Sequence, residues 1–129
     1  MHKGFLRAGA IFAALAVALG AFGAHGLKKY VPAETINTFE TGVKYQFYHA
    51  LALLAAGIIA EKFPFRWVRY AGISFIWGIV LFSGSLYVLT FLKATETVGL
   101  SGIGAVTPFG GLLFILGWLF LLYSFYAKK

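Results

Sequence analysis

Long apolar stretches separated by short polar segments dominate the pattern of this chain. Four apolar runs stand out, at about residues 5–27, 43–60, 67–92 and 108–127. A membrane-spanning helix needs roughly 20 predominantly apolar residues. Three runs reach that length, and the second reaches it if its helix extends backwards through residues 35–42. The pattern therefore predicts four helices of membrane-spanning length.

Helices explain these runs better than strands do. The runs lack strand-like alternation, and they exceed the roughly 9–11 residues of a transmembrane β-strand. Inside lipid, only helices and closed barrels satisfy the hydrogen bonding of the backbone. Pro32, Pro64 and Pro108 fit helix starts or ends. We predict an all-α protein with a single domain over residues 1–129, an integral membrane bundle of four transmembrane helices.

The composition supports lipid as the solvent of this chain. Hydrophobic residues make up 60% of the 129 residues and charged residues 12%, against roughly 45–50% and about 25% in soluble domains. A water-soluble fold of this size would leave much apolar surface exposed. The formal net charge of +7 comes from basic clusters between the apolar runs, which indicates anionic lipid headgroups and not nucleic acid. The chain has no cysteine, so disulfides are excluded.

The distribution of basic residues predicts the orientation of the bundle. With four spans, the N-terminus, the second connection and the C-terminus share one side, which carries seven basic residues against four on the other. Basic residues are enriched in cytoplasmic segments, so we expect both termini in the cytoplasm. The seven are Lys3, Arg7, Lys62, Arg66, Arg69, Lys128 and Lys129, and the four are Lys28, Lys29, Lys44 and Lys93.

A secretory signal peptide is an alternative interpretation of the first run. Lys3 and Arg7 precede an apolar stretch, and Ala21-Phe22-Gly23 has the small residues of a cleavage site. Cleavage would leave three spans and an outside N-terminus. The apolar stretch of a signal peptide is usually only about 7–15 residues long, so we favour a first membrane span.

Two histidines lie in predicted spans, where polar groups are costly and each is a functional hypothesis. His25 ends the first run, and His49 lies in the second with Tyr45 one turn before it. Each histidine continues a stripe of small residues, which marks close helix packing in membranes. We therefore expect both imidazoles to face the bundle interior near each other. Ser83 and Ser85 complete this candidate intramembrane polar site, because their hydroxyls can bond within their helix or across to a neighbour.

The two histidines leave several roles open. Each can join two helices by a hydrogen bond, or serve as a proton relay, a metal ligand or a haem ligand. We favour structural packing. A zinc site needs three or four protein ligands, and no ligand spacing of that kind accompanies the histidines. The sequence therefore predicts neither a metal site nor a cofactor.

Glycines within the spans predict where helices approach each other, because a small residue lets two membrane helices pack closely. The glycine series in the first span lacks the preceding strand of a phosphate-binding loop. Thr107 and Pro108 predict the start of the last helix, with Thr107 as its cap. The expected packing positions are Gly20, Gly23, Gly84, Gly110 and Gly111.

Four short stretches make the chain resemble a known family. They are GAFGAHGL at residues 20–27, YQFYHAL at 45–51, FSGSLY at 82–87, and TPFGG at 107–111 followed by GW at 117–118. Together they resemble the YgdD/YwdK family of small bacterial inner-membrane proteins, a family labelled as a domain of unknown function. The stretches lie in all four spans. The resemblance implies a multi-pass plasma-membrane protein and supplies no activity or site residues.

Three classes of function remain open. A structural or interaction protein would bind membrane lipids, other membrane proteins or further copies of itself. A small transporter, channel or proton-handling protein would use His25 and His49. An enzyme is the least favoured class, because no acid–base pair or activated nucleophile is visible. We expect a multi-pass membrane protein of the first class that is not an enzyme.

Overall fold

The protein is all-α, as predicted, over residues 1–97 and 101–129, which are the residues that the computed structural model describes. A π-helical turn joins α3 to α4, so these elements form one continuous helix, Phe65–Ala94. The described residues therefore form four long helical rods. The α-helices are α1 (Lys3–Ala24), α2 (Ala33–Ile59), α3 (Phe65–Gly78), α4 (Gly84–Ala94) and α5 (Thr107–Tyr126), the π-turn is Ile79–Ser83, and short 3-10 segments cover Gly26–Lys29 and Ser101–Ala105.

Prolines stand at the start of three of the rods, as the sequence predicts. Pro32 and Pro64 immediately precede α2 and α3, and Pro108 lies in the first turn of α5. Proline suits these positions because the first helical turn leaves its N–H groups without an intrahelical partner in any case. The first rod begins differently, because Nδ1 of His2 accepts a hydrogen bond from the backbone N–H of Phe5 over 3.0 Å.

Three rods are long and apolar enough to cross a membrane, when only the described residues are considered. They are Lys3–Lys29, Phe65–Ala94 and Gly102–Tyr126. The α2 helix has 27 residues, but Lys44 and Gln46 make its middle more polar. The four-span prediction thus holds for three rods by length and composition, and α2 needs a separate argument from packing.

The two central rods are α2 and the helix Phe65–Ala94. The α1 helix packs along α2, and α5 packs along α3 and the π-turn, while α2 contacts α3, the π-turn and α4. Leu53, Val68 and Phe75 are completely buried where these rods meet. A smaller apolar cluster around Leu27 lies beneath the 3-10 turn that follows α1.

Aromatic rings fill notches that glycines leave on neighbouring helices. Phe114 of α5 lies against Gly78, and Phe75 of α3 lies against Gly117. A Cβ atom at either glycine would overlap the facing ring. This reciprocal pair lets α3 and α5 approach closely, as small residues do in membrane proteins. Neither glycine was among the packing positions predicted from the sequence.

The predicted packing glycines behave differently from one another. A Cβ at Gly110 would overlap the backbone nitrogen of Phe82, and a Cβ at Gly23 would lie 2.9 Å from a neighbouring ring. Among the described residues, no atom lies within 4 Å of the place of a Cβ at Gly84, so its prediction as a packing position is wrong. It directly follows the π-turn, whose extra residue shifts the register of helix faces. Gly20 and Gly111 make ordinary van der Waals contacts.

Both chain termini lie at one end of the bundle, which we call the terminal end. The ammonium group of Met1 pairs with the Glu61 carboxylate, and Lys129 donates to the Glu61 carbonyl. The Met1 ammonium also holds the pKa of the Glu61 carboxyl below its ordinary value. Pro32 and Lys93 line one pocket at the opposite, distal end. Successive rods therefore run antiparallel.

Candidate functional site

His49 lies inside the bundle with only 4% of its surface exposed. Its Nδ1 is 2.7 Å from the backbone oxygen of Tyr45, and the indole N–H of Trp118 donates to its Nε2 over 3.0 Å. A carbonyl oxygen only accepts and an indole N–H only donates. The bonds therefore identify a neutral imidazole that carries its proton on Nδ1. Both ring nitrogens are used within the protein.

Aromatic rings surround this imidazole. The ring of Phe114 stacks on His49 with a centroid separation of 3.6 Å and an interplanar angle of 9°. Phe75 and Trp118 approach it at 5.5 Å and 5.8 Å. A proton relay or a metal ion at Nε2 would first have to break the Trp118 bond. The geometry thus favours the helix-joining role among those left open by the sequence.

His25 does not belong to this site. It is exposed at the C-terminal end of α1, so the prediction that both histidines face the interior near each other is wrong for His25. The alanine stripe that leads to it, represented by Ala18, is exposed as well. The helix instead turns Gly9 and Gly23 towards α2, because the smallest residue allows the closest approach.

Gln46 joins three helices and was not among the polar residues predicted from the sequence. Its side chain is 3% exposed, and its amide N–H donates to the Phe12 carbonyl of α1 over 2.8 Å. The hydroxyl of Tyr87 in α4 donates to the amide oxygen over 2.7 Å. A glutamine in an apolar run is the signal that could have identified it, since an unpaired amide in an apolar medium is costly.

The two predicted serines take part in separate contacts. Ser83 is completely buried and donates across to the Gly42 carbonyl of α2 over 2.6 Å. Ser85 donates back to the Phe82 carbonyl and is also hydrogen-bonded to the Thr107 hydroxyl. Thr107 is the first helical residue of α5, not its cap as predicted, because this tertiary contact takes its side chain.

An apolar groove of about 570 Å³ runs between α2 and α5 beside His49. Tyr45 and Ile115 line it and are 41% and 58% exposed, so the groove opens outwards from the bundle. Tyr45 thus contributes its backbone carbonyl to His49 and its ring to the groove. His49 and Trp118 both line this groove, and the indole N–H of Trp118 occupies Nε2 of His49.

The polar groups of this site satisfy one another. Among the described residues, every buried side-chain nitrogen or oxygen has a hydrogen-bond partner. The described residues contain no group of three or more histidine, aspartate, glutamate or cysteine side chains that could hold a metal ion. The arrangement is chemically suited to holding helices in register.

Comparison with known proteins gives a consistent picture. The profile of a family described as a protein of unknown function, DUF423, matches residues 19–111. The UPF0382 membrane protein YwdK of Bacillus subtilis is 45% identical over 120 residues, which cover 92% of this chain and 93% of that protein. A UPF0382 membrane protein of Staphylococcus saprophyticus is 45% identical over 119 residues, 92% of this chain and 93% of the relative. One of Haemophilus influenzae is 37% identical over 129 residues, 100% and 98% of the two chains. No solved structure matches the chain.

Proposed function

Because this chain belongs to the DUF423 family, whose relatives are UPF0382 membrane proteins, we propose that it is a four-span membrane protein that acts by binding and not by catalysis or transport. The resemblance to the YwdK family is thereby confirmed, and the chain is a membrane protein. The names of these relatives describe no enzymatic activity. The number of spans, the orientation and the mode of action are the parts proposed here.

The packing of α2 supports a fourth span. Its 27 residues extend roughly 40 Å at 1.5 Å per residue, which exceeds the roughly 30 Å hydrocarbon core of a bilayer. An odd number of crossings would separate the termini, whereas Met1 and Lys129 both contact Glu61. The polar side chains of Gln46 and His49 are bonded inside the bundle, which lowers the cost of placing α2 in lipid.

The distribution of charge supports an orientation with the terminal end on the cytoplasmic side of the plasma (inner) membrane. Seven basic residues and one acid, Glu61, belong to the terminal end, against four basic residues and three acids on the distal side, where Lys44 lies near the middle of α2. Because positive residues are retained on the cytoplasmic side, both termini are then cytoplasmic.

The functional proposal rests on the hydrogen bonds of the buried polar groups. His49 and Gln46 use their nitrogen and oxygen atoms in bonds between helices, and each buried polar side-chain atom of the described residues has a partner. Pumps and transporters place ionisable groups along a path at membrane depth. Here the buried histidine His49 joins helices instead, so the outer surface is what the protein offers to membrane lipids, other membrane proteins or further copies of itself.

Proton handling through His49 is the second candidate. The groove beside Trp118 favours it, because a rotation of this indole would expose Nε2 of His49 to the groove. His25 has no part in this candidate, since it lies exposed at the distal end of α1.

Single cysteines test the spans and the orientation together. The chain has no cysteine, so Tyr30→Cys, Lys62→Cys and Lys128→Cys each create one thiol. In spheroplasts treated with a membrane-impermeant maleimide, we expect labelling at position 30 and protection at 62 and 128 until permeabilisation. Labelling of 30 and 62 from the same side would show that α2 does not cross the membrane. Labelling only at positions 62 and 128 would show that the bundle has the opposite orientation.

Vesicles and affinity capture test the mode of action. We expect purified protein in sealed vesicles to give no proton flux that depends on His49, when the parent chain is compared with the His49→Ala variant. We expect affinity capture from membranes to retain a reproducible lipid or membrane-protein partner. A proton flux that the substitution abolishes would instead establish the second candidate.

A further inference from the structure

Four cations at the terminal end form no ion pair with any described residue. The α1 helix places Lys3 and Arg7 there, and α3 places Arg66 and Arg69 there, all four exposed. Glu61 is the acid at this end, and its carboxylate already pairs with the ammonium group of the N-terminus. Throughout residues 1–97 and 101–129, no arginine has a carboxylate within ion-pair distance.

Arg66 and Arg69 concentrate this charge on one helix face. Residues three apart on a helix are neighbours, with Cβ atoms about 5–6 Å apart. Both side chains stand in the first two turns of α3, which begins at Phe65 without a side-chain cap bond. The positive end of the helix dipole therefore adds to their charge.

An aromatic cluster places these arginines at the level of lipid headgroups. The ring of Trp67 lies 5.7 Å from that of Tyr70 and 4.6 Å from that of Tyr123. Tryptophan and tyrosine concentrate at the boundary between headgroups and hydrocarbon. Arg66 and Arg69 alternate with Trp67 and Tyr70 along the first turns of α3, so their guanidinium groups reach the same level.

We propose that Arg66 and Arg69 bind the phosphate of an anionic phospholipid in the leaflet at the terminal end, so that the protein selects anionic over zwitterionic lipid. A guanidinium group donates two parallel hydrogen bonds to a phosphate, which an ammonium group does not. A zwitterionic lipid carries the same phosphate with a neutralising cation, so the net charge decides between them. The inference rests on the proposed four-span arrangement, which places this end at the bilayer surface.

A lipid titration tests the site on the full chain. Detergent-solubilised protein is titrated with phosphatidylglycerol or phosphatidylcholine, and bound lipid is counted by native mass spectrometry. Each basic residue near an anionic surface strengthens lipid binding. Removing two of them with Arg66→Gln and Arg69→Gln should weaken phosphatidylglycerol binding about 30-fold. The matched control is Lys28→Gln with Lys29→Gln, which removes the same charge at the distal end and should bind like the parent.

Several results would overturn the site. These are equal affinity of the parent chain for the two lipids, unchanged affinity in the arginine variant, an equal loss in the lysine control, or displacement of the lipid by inorganic phosphate at the same concentration. If the arginine variant does not fold, the parent chain alone tests the site. Its preference for phosphatidylglycerol should vanish at 1 M salt, where the Debye length is about 3 Å. Labelling of the three single-cysteine variants separates the two ideas, because the expected labelling without a lipid preference of the parent chain rejects the site alone.

Discussion

Replacing His49 by alanine tests whether this imidazole holds the bundle together. The substitution removes the acceptor of the Trp118 indole N–H, which joins α2 to α5. It also removes a ring that stacks 3.6 Å from Phe114. His25→Ala is the matched control, because it deletes the same side chain from an exposed helix end.

The expected loss follows from these contacts. An interhelical hydrogen bond in a membrane protein contributes about 0.6 kcal/mol on average and about 1.7 at most. An aromatic stack contributes about 0.5–1.5 kcal/mol, and the site, which is 4% exposed, is left with a cavity that costs about 1–2 kcal/mol more. We expect His49→Ala to lower the free energy of unfolding by about 2–5 kcal/mol. His25→Ala should change it by less than about 0.5 kcal/mol.

Reversible unfolding in mixed micelles measures both variants. The SDS fraction is raised stepwise, and helix content is followed by far-ultraviolet circular dichroism. A His49→Ala curve that coincides with the parent would refute the assigned role. Equal losses in the two variants would show that the effect comes from histidine content and not from the contacts of His49.

Three further substitutions test other contacts in the same unfolding assay. Gly110→Ala should destabilise the protein by about 1–3 kcal/mol, because its Cβ overlaps a facing backbone. The control Gly84→Ala, which has no described atom within 4 Å of its Cβ, should be neutral or stabilise the protein by up to about 1 kcal/mol. A larger loss of stability in Gly84→Ala than in Gly110→Ala would contradict the helix packing. Tyr87→Phe should cost about 0.6–1.7 kcal/mol through its lost bond to the buried amide, while Tyr126→Phe, at an 80% exposed position, should cost nothing measurable. Trp118→Phe should lower the free energy of unfolding about as much as Tyr87→Phe does. Combined with His49→Ala, it should cost less than the sum of the two single losses, since both substitutions remove the same hydrogen bond. Fully additive losses would argue against that bond.

The pattern of apolar and polar residues was sufficient to predict four long helices. A backbone in lipid must bond within itself, so a long apolar run has few solutions other than a helix. Pro32, Pro64 and Pro108 stand at helix starts for an equally local reason. The start of α2 at Ala33 is where the apolar pattern was least informative, since the helix begins in a polar segment.

Which face each helix turns inwards was decided by tertiary structure. Both sides of α1 carry small residues, and only the presence of α2 selects the side of Gly9 over that of Ala18 and His25. Gln46 and Tyr87 lie 41 residues apart, and no local pattern sets the helix register that brings them together. Periodicity states which residues share a face, but the partner of that face depends on how the rods pack. The sequence by itself therefore determined the helices and their solvent, and the packing of the rods decided which polar groups meet.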